Sequence, residues 1–203
     1  MDRDKHWDGV YGAKAADRVS WCAPRLERSL AMIRAVAGPS CEIIDVGGGA
    51  STLVDDLLKL GFSNVSLLDV SSASIVIAKK RLGRNAEAVT WITADITQAR
   101  LPGAKYDVWH DRAVFHFLTD PADRRAYSDV ARKSIKRDGH LVIATFAADG
   151  PKRCSGLDVV RYTADALSRE LAPGFVLEQK KREIHATPTG SGQSYLYCSF
   201  RRS

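Results

Sequence analysis

The four cysteines, Cys22, Cys41, Cys154 and Cys198, include no CxxC pair and join no His/Cys cluster at zinc-ligand spacing. That argues against both a disulfide framework and a metal centre. No apolar run approaches the roughly 18 residues of a membrane span, and the opening Met1-Asp-Arg-Asp-Lys-His-Trp7 lacks the apolar core of a signal peptide. A reducing cytoplasm with no membrane partner is the expected setting. Repeats, low-complexity stretches and long Lys/Arg blocks are missing too. The net charge of +6 gathers toward the C-terminus, where residues 151–203 carry nine basic against five acidic side chains. An imbalance this modest reads as solvated surface, so nucleic acid is not the expected partner.

What remains is a chain of 203 residues, 45% hydrophobic and 27% charged, enough for one core and one domain. Cys41-Glu-Ile-Ile-Asp-Val46 is short, β-branched and followed by three glycines, the pattern of a buried strand running into a tight turn. Residues 51–60 place Leu53, Val54, Leu57 and Leu58 on one helical face, with Gly61 as a stop. Strands over 65–70, 89–94 and 106–110, and a helix over 72–82, continue the alternation. Asp120 and Pro121 open a helix over 121–134 as N-cap and first residue, and the Asp138-Gly139 turn leads into a strand over 140–146. A helix over 163–171 precedes strands over 175–185 and 195–200, which should pair as a hairpin. Such alternation implies right-handed crossovers and a mostly parallel α/β sheet covered on both faces. Residues 1–40 form a helical cap, 41–146 a ligand-binding core, and 147–203 a lid loop, a helix and the hairpin.

Ligands of open sheets sit beyond the carboxyl ends of the strands. There the chain places Asp45-Val46-Gly47-Gly48-Gly49, where glycine allows a sharp turn and close approach to main-chain N–H groups. A dinucleotide fingerprint would want glycine where Thr52 stands, and Asp45 would repel a pyrophosphate, which disfavours a nicotinamide cofactor. Asp45 suits a ligand carrying an ammonium group, or else caps the following helix. Asp69 lies about 20 residues past Gly49, where an acid accepts from ribose hydroxyls. Asp95 ends the third strand, positioned for the exocyclic amine of an adenine.

Taken together, Asp45-Val-Gly-Gly-Gly, Asp69, Asp95-Ile and Tyr106-Asp107-Val resemble the ordered motifs of class I S-adenosylmethionine-dependent methyltransferases, firmly over residues 41 to 146. The flanks, His6-Trp-Asp-Gly-Val-Tyr11 and Gln193-Ser-Tyr-Leu-Tyr-Cys198 among them, resemble small bacterial methyltransferases of the type 11/12 kind and, loosely, lysine methyltransferases. The resemblance implies a Rossmann-like seven-stranded mixed sheet, order 3-2-1-4-5-7-6, with an antiparallel last strand. It implies S-adenosylmethionine as cofactor, its methionine over Gly47, Gly48 and Gly49, its ribose on Asp69 beside Val70, and its adenine flanked by Asp95 and Ile96. Gly48 departs mildly from the family's usual loop.

Methyl transfer from a sulfonium needs an in-line nucleophile in a dry pocket, and a base only when the acceptor arrives protonated. His110, Asp111 and His116, at or just past the fourth strand, are the catalytic candidates. Arg112, His185 and Gln193 are the candidates for substrate contact. Trp7, Tyr11 and Trp21 either cover the sulfonium, as cations favour aromatic faces, or simply pack. Cys154 reads as an inert loop thiol. The expected activity is methylation of a small molecule, with a protein lysine as the alternative acceptor and non-catalytic cofactor binding as a third reading. Oligomeric state is not legible.

Overall fold

A computed structural model describes residues 2–13 and 19–203. The chain runs α1 (Arg3–Ala13), α2 (Glu27–Val36), β1 (Glu42–Val46), α3 (Leu53–Lys59), β2 (Asn64–Asp69), α4 (Ser72–Leu82), β3 (Val89–Thr93), β4 (Tyr106–Arg112), α5 (Pro121–Ser134) and β5 (Ile135–Phe146). A two-residue-per-strand hairpin, β6 (Arg153–Cys154) with β7 (Leu157–Asp158), precedes α6 (Ala164–Leu171), β8 (Phe175–Ala186) and β9 (Gly192–Arg202). The main sheet has seven strands in the order β3-β2-β1-β4-β5-β9-β8. With the small hairpin set aside, this is the expected order 3-2-1-4-5-7-6. Strands β3 to β5 are parallel, and β9 runs antiparallel to both of its neighbours.

Both faces of the sheet are covered because its central strands are apolar on both sides. Ile43 packs toward α2 and α3 with Leu30, Ile33, Leu53 and Leu57. Its neighbour Ile44 packs the other way, with Trp109, Tyr127 of α5 and Leu167 of α6. Each such side chain taken fully from water contributes about 1.5–3 kcal/mol. Within this core Trp109 Nε1 donates to the Tyr127 hydroxyl at 2.9 Å.

The helix ends obey the sequence. Asp120 accepts from Ala122 N, with Pro121 at the first turn, and the Thr163 hydroxyl accepts from Ala166 N. Three expectations shift. α3 starts at Leu53, not Ser51, because the Ser51 hydroxyl turns back to accept from Leu53 N at 3.2 Å. The turn expected at 138–139 is a bulge inside β5: Ile135 pairs with Tyr106, Asp138 takes φ 59°, and pairing resumes at Val108 with His140. The expected loop over 147–156 ends in the short β6–β7 pair, Arg153 with Asp158 and Cys154 with Leu157. Among the described residues no helix is long and apolar enough to cross a membrane.

Candidate functional site

The carboxyl ends of β1, β2 and β4 meet where the sheet order reverses, and the glycine turn leaves β1 there. Gly47 and Gly49 hold φ 67° and 48°, a region that favours glycine. A Cβ at Gly47 would collide with Val114 Cγ2, and one on Gly48 would lie 2.6 Å from Asp45 Oδ2. At Gly49 it would meet the Tyr11 hydroxyl at 2.7 Å and Asp69 Oδ2 at 3.1 Å. The turn is a cradle only glycine leaves open.

Asp45 is 2% exposed. Its Oδ1 lies 2.7 Å from His110 Nδ1, the facing residue on β4, and the other imidazole nitrogen lies 2.9 Å from the Ser29 hydroxyl of α2. The tautomer satisfying both contacts donates from Nδ1 and accepts at Nε2. Asp45 Oδ2, also buried, has no hydrogen-bond partner among the described residues. Asp69 ends β2 with Oδ1 accepting from Ser71 N at 2.8 Å, and burial pushes its carboxyl up to about 6. At Asp95, Oδ1 accepts from Thr97 and Oδ2 from Arg3 at 2.7 Å. Burial works against ionisation there, but Thr97 and Arg3 outweigh it and hold the carboxyl below its ordinary value.

Helix α1 lies over these tips although none of its residues is buried. It is held by polar ties. Arg3 bridges Asp95 and Asp123, while Asp8 accepts from the Ser71 hydroxyl at 2.6 Å and from Ala73 N at 3.1 Å, at the start of α4. This docking brings Trp7 edge-on to Trp21 at 5.6 Å and to Phe117 at 5.0 Å. Beneath lies a cavity of about 790 Å³, measured with its open mouth and lined by Asp69, Val70, Asp95, Ile96, Trp7 and Phe117 among others. A second of about 550 Å³ lies against Asp45, Gly48, Ser51 and His110, and the two share Tyr11, Trp21, Gly47 and Arg112.

The expected cofactor residues therefore converge on one crevice, whereas the expected catalytic ones do not. His110 faces the second cavity and is occupied by Asp45 and Ser29. Asp111 points into the opposite face of the sheet, where its oxygens accept from Val114 N, Phe115 N and the Tyr127 hydroxyl; burial pushes it up to about 6. His116 is sealed in the core with Nδ1 accepting from Phe146 N at 3.1 Å, and burial, then the Arg112 charge, take its imidazole down to about 3. Neither Asp111 nor His116 lines either cavity. The expected substrate residues divide likewise. Arg112 lines both cavities, but His185 and Gln193 line neither: His185 Nε2 sits 2.9 Å from Ser20 O, tying down the N-terminal segment, and Gln193 faces it across the β8–β9 pair. Cys154 is buried at the cavity wall with its thiol pushed up by burial. Arg3, Asp8, Ser29 and Phe117 went unnoticed in the sequence. Only Phe117, in the apolar run after β4, had a local signal.

Residues 44–141 match the family described as a methyltransferase domain. Over 118 residues the chain is 30% identical to the malonyl-[acyl-carrier protein] O-methyltransferase of Anoxybacillus flavithermus, covering 57% of this chain and 43% of that enzyme. The chain thus spans less than half the length of that curated relative. Among solved structures, one concerned with conversion of a disulfide bond into a thioacetal group during echinomycin biosynthesis superposes with a TM-score of 0.80 at 18% identity, covering 98% of this chain and 91% of that one. The 1,6-didemethyltoxoflavin-N1-methyltransferase of Burkholderia thailandensis, solved with 1,6-didemethyltoxoflavin and S-adenosylhomocysteine, gives 0.72 at 22% identity over 98% and 84% of the two chains.

Proposed function

We propose that this chain, whose residues 44–141 match a methyltransferase-domain family, is a class I methyltransferase that binds S-adenosylmethionine across the two joined cavities and methylates a small-molecule acceptor. The observation that carries the reading is the buried, unpartnered Oδ2 of Asp45 beside a glycine cradle. A buried carboxylate oxygen without a donor costs about 1–3 kcal/mol or more, and an ammonium group is the partner that relieves it. The rest of the crevice fits the same ligand. Asp69 accepts from ribose hydroxyls, and Val70, Ile96 and Leu118 supply apolar contact for adenine. Asp95 reaches the adenine amine only by sharing oxygens already given to Arg3 and Thr97.

When bound, the cofactor supplies a methyl group on a sulfonium, an electrophile that carries its own leaving group. The chain's part is to hold the acceptor in line and keep water away, from which orientation alone contributes several kcal/mol, on the order of 7–11 at most. Trp7, Trp21 and Phe117 exclude water, and their faces favour a nearby cation. The small-molecule assignment draws support from the named substrate 1,6-didemethyltoxoflavin of one structural relative. Calorimetric titration with S-adenosylhomocysteine tests the reading: wild-type protein should bind it and Asp69→Ala should bind it at least about 10-fold more weakly. Absence of binding by the wild type would overturn it.

A further inference from the structure

Arg112 ends β4, and three contacts fix its guanidinium. Nε donates to the Tyr197 hydroxyl at 3.1 Å, Nη1 donates to Trp21 O at 3.0 Å, and the carbon sits 4.5 Å from the centre of the Tyr195 ring. Its remaining nitrogen, Nη2, is shut off from solvent and has no hydrogen-bond partner among the described residues. No carboxylate among the described residues pairs with it. Glu183, which favours its charge from a distance, is engaged instead by Arg28 at 3.6 Å and by the Tyr197 hydroxyl at 3.4 Å. A rigid cation with both N–H groups of Nη2 unspent, lining both cavities, is arranged for an anion.

The sheet order gives the crevice a polarity. Asp69 and Asp95 lie over β2 and β3, on one side of the glycine turn, while Arg112 lies over β4 on the other. On the β4 side the wall is Ala113, Val114, Phe117, Trp7 and Trp21 with the Cys154 thiol. Among the described residues no carboxylate or imidazole on that wall is free to take a proton: His116 and Asp111 line neither cavity, His185 is held by Ser20, and His110, in the second cavity, is engaged by Asp45 and Ser29. The nucleophile has to arrive deprotonated. A lysine side chain, ordinarily protonated up to about pH 10.4, would find no base and a like charge.

We propose that the acceptor is a flat apolar oxygen or sulfur acid taken up as its anion, with Arg112 as the residue that selects it. This rests on the methyltransferase reading above. In the transfer, a lone pair of the anion forms the bond to the methyl carbon as the carbon–sulfur bond breaks, and that bonding pair stays on sulfur. An anion and a sulfonium become two neutral groups, and no proton moves.

The test titrates protein saturated with S-adenosylhomocysteine against benzoate, 4-cyanophenol above its pKa, thiophenol and benzylamine, read by tryptophan fluorescence from Trp7 and Trp21. At least one acid should bind about 10-fold or more tightly than benzylamine. Arg112→Gln should abolish that preference, losing about 10- to 100-fold for the acid, while Arg112→Lys, which keeps the charge but not the fork, should fall between. Because Arg112 lines the cavities that hold the cofactor, Arg112→Gln should weaken S-adenosylhomocysteine and 5′-methylthioadenosine, which has no carboxylate, to the same extent and less than it weakens the acid. Amine binding equal to or tighter than acid binding by the wild type overturns the proposal without recourse to any variant. Loss of S-adenosylhomocysteine but not of 5′-methylthioadenosine in Arg112→Gln also overturns it, assigning the guanidinium to the cofactor's own carboxylate. If the wild type fails to bind S-adenosylhomocysteine at all, the preceding reading falls rather than this one alone.

Discussion

Asp69→Asn should stabilise the protein while weakening its cofactor binding, and both effects can be sized. Burial holds the Asp69 carboxyl at about 6 against an ordinary 3.8, which at pH 8 corresponds to about 3 kcal/mol of penalty on the folded state. Between those two values the folded chain binds a proton that the unfolded chain has released. The carboxyl therefore favours folding fully below about pH 4, and that contribution is lost as pH rises through 6. Asparagine removes the charge and keeps an oxygen to accept from Ser71 N, but it forfeits the donation from the Gly49 N–H that partly steadies the carboxylate. The net gain at pH 8 should be about 1–2 kcal/mol, which for a chain of this size raises the melting temperature by about 2–8 °C. At pH 4.5 the difference should shrink to near zero or reverse. Calorimetric melts of both proteins at the two pH values measure this, with S-adenosylhomocysteine titrations alongside, where loss of charge-assisted bonds to hydroxyls should cost about 10- to 100-fold. A variant no more stable than wild type at pH 8, or equally favoured at both pH values, would refute the reasoning. Stability gained and binding lost from one substitution is the mark of a charge kept for function.

His110→Gln should separate positioning from chemistry. With the Nδ1 contact gone, Asp45 loses its fixed orientation, so S-adenosylhomocysteine should bind about 10-fold more weakly while 5′-methylthioadenosine, which lacks the ammonium, binds as before; equal weakening of both would reduce His110 to a packing role. Gly47→Ala places a methyl group against Val114 Cγ2 at φ 67°, a strain of about 1–3 kcal/mol that should appear in urea denaturation as a lower midpoint with unchanged slope, together with impaired cofactor binding.

The strand tips were legible because each belongs to a short apolar run closed by an acid or a glycine, and parallel alternation sends every such tip to one edge. Helix α1 was not placeable in the same way. It has no apolar stripe, and what docks it is a pair of polar ties to residues 63 or more positions away, Asp8 to Ser71 and Arg3 to Asp95. Period-2 alternation explains why Asp111 lies away from the cavities that His110 and Arg112 line. His110, Asp111 and Arg112 are consecutive, so Asp111 must face the Tyr127 side while its two neighbours face the other, and the sequence alone does not say which side holds the ligand.

The two ends of the crevice differ in legibility for a physical reason. The donor end is assembled from strand–turn–helix units in which the functional group and the backbone it serves lie within a few residues: Asp45 with Gly47 to Gly49, Asp69 with Ser71, Asp95 with Thr97. Local geometry forces those pairs together, so spacing along the chain encodes them. The end proposed to take the acceptor is lined by Trp7, Trp21, Arg112, Phe117 and Cys154, with Tyr195 and Tyr197 of β9 behind Arg112, and only the tertiary fold brings them together. Nothing in the neighbourhood of Arg112 in sequence shows that its Nη2 lacks a partner. That fact exists only once Tyr197, Trp21 and Tyr195 have taken the rest of the guanidinium, and acceptor preference is accordingly a property of the assembled sheet.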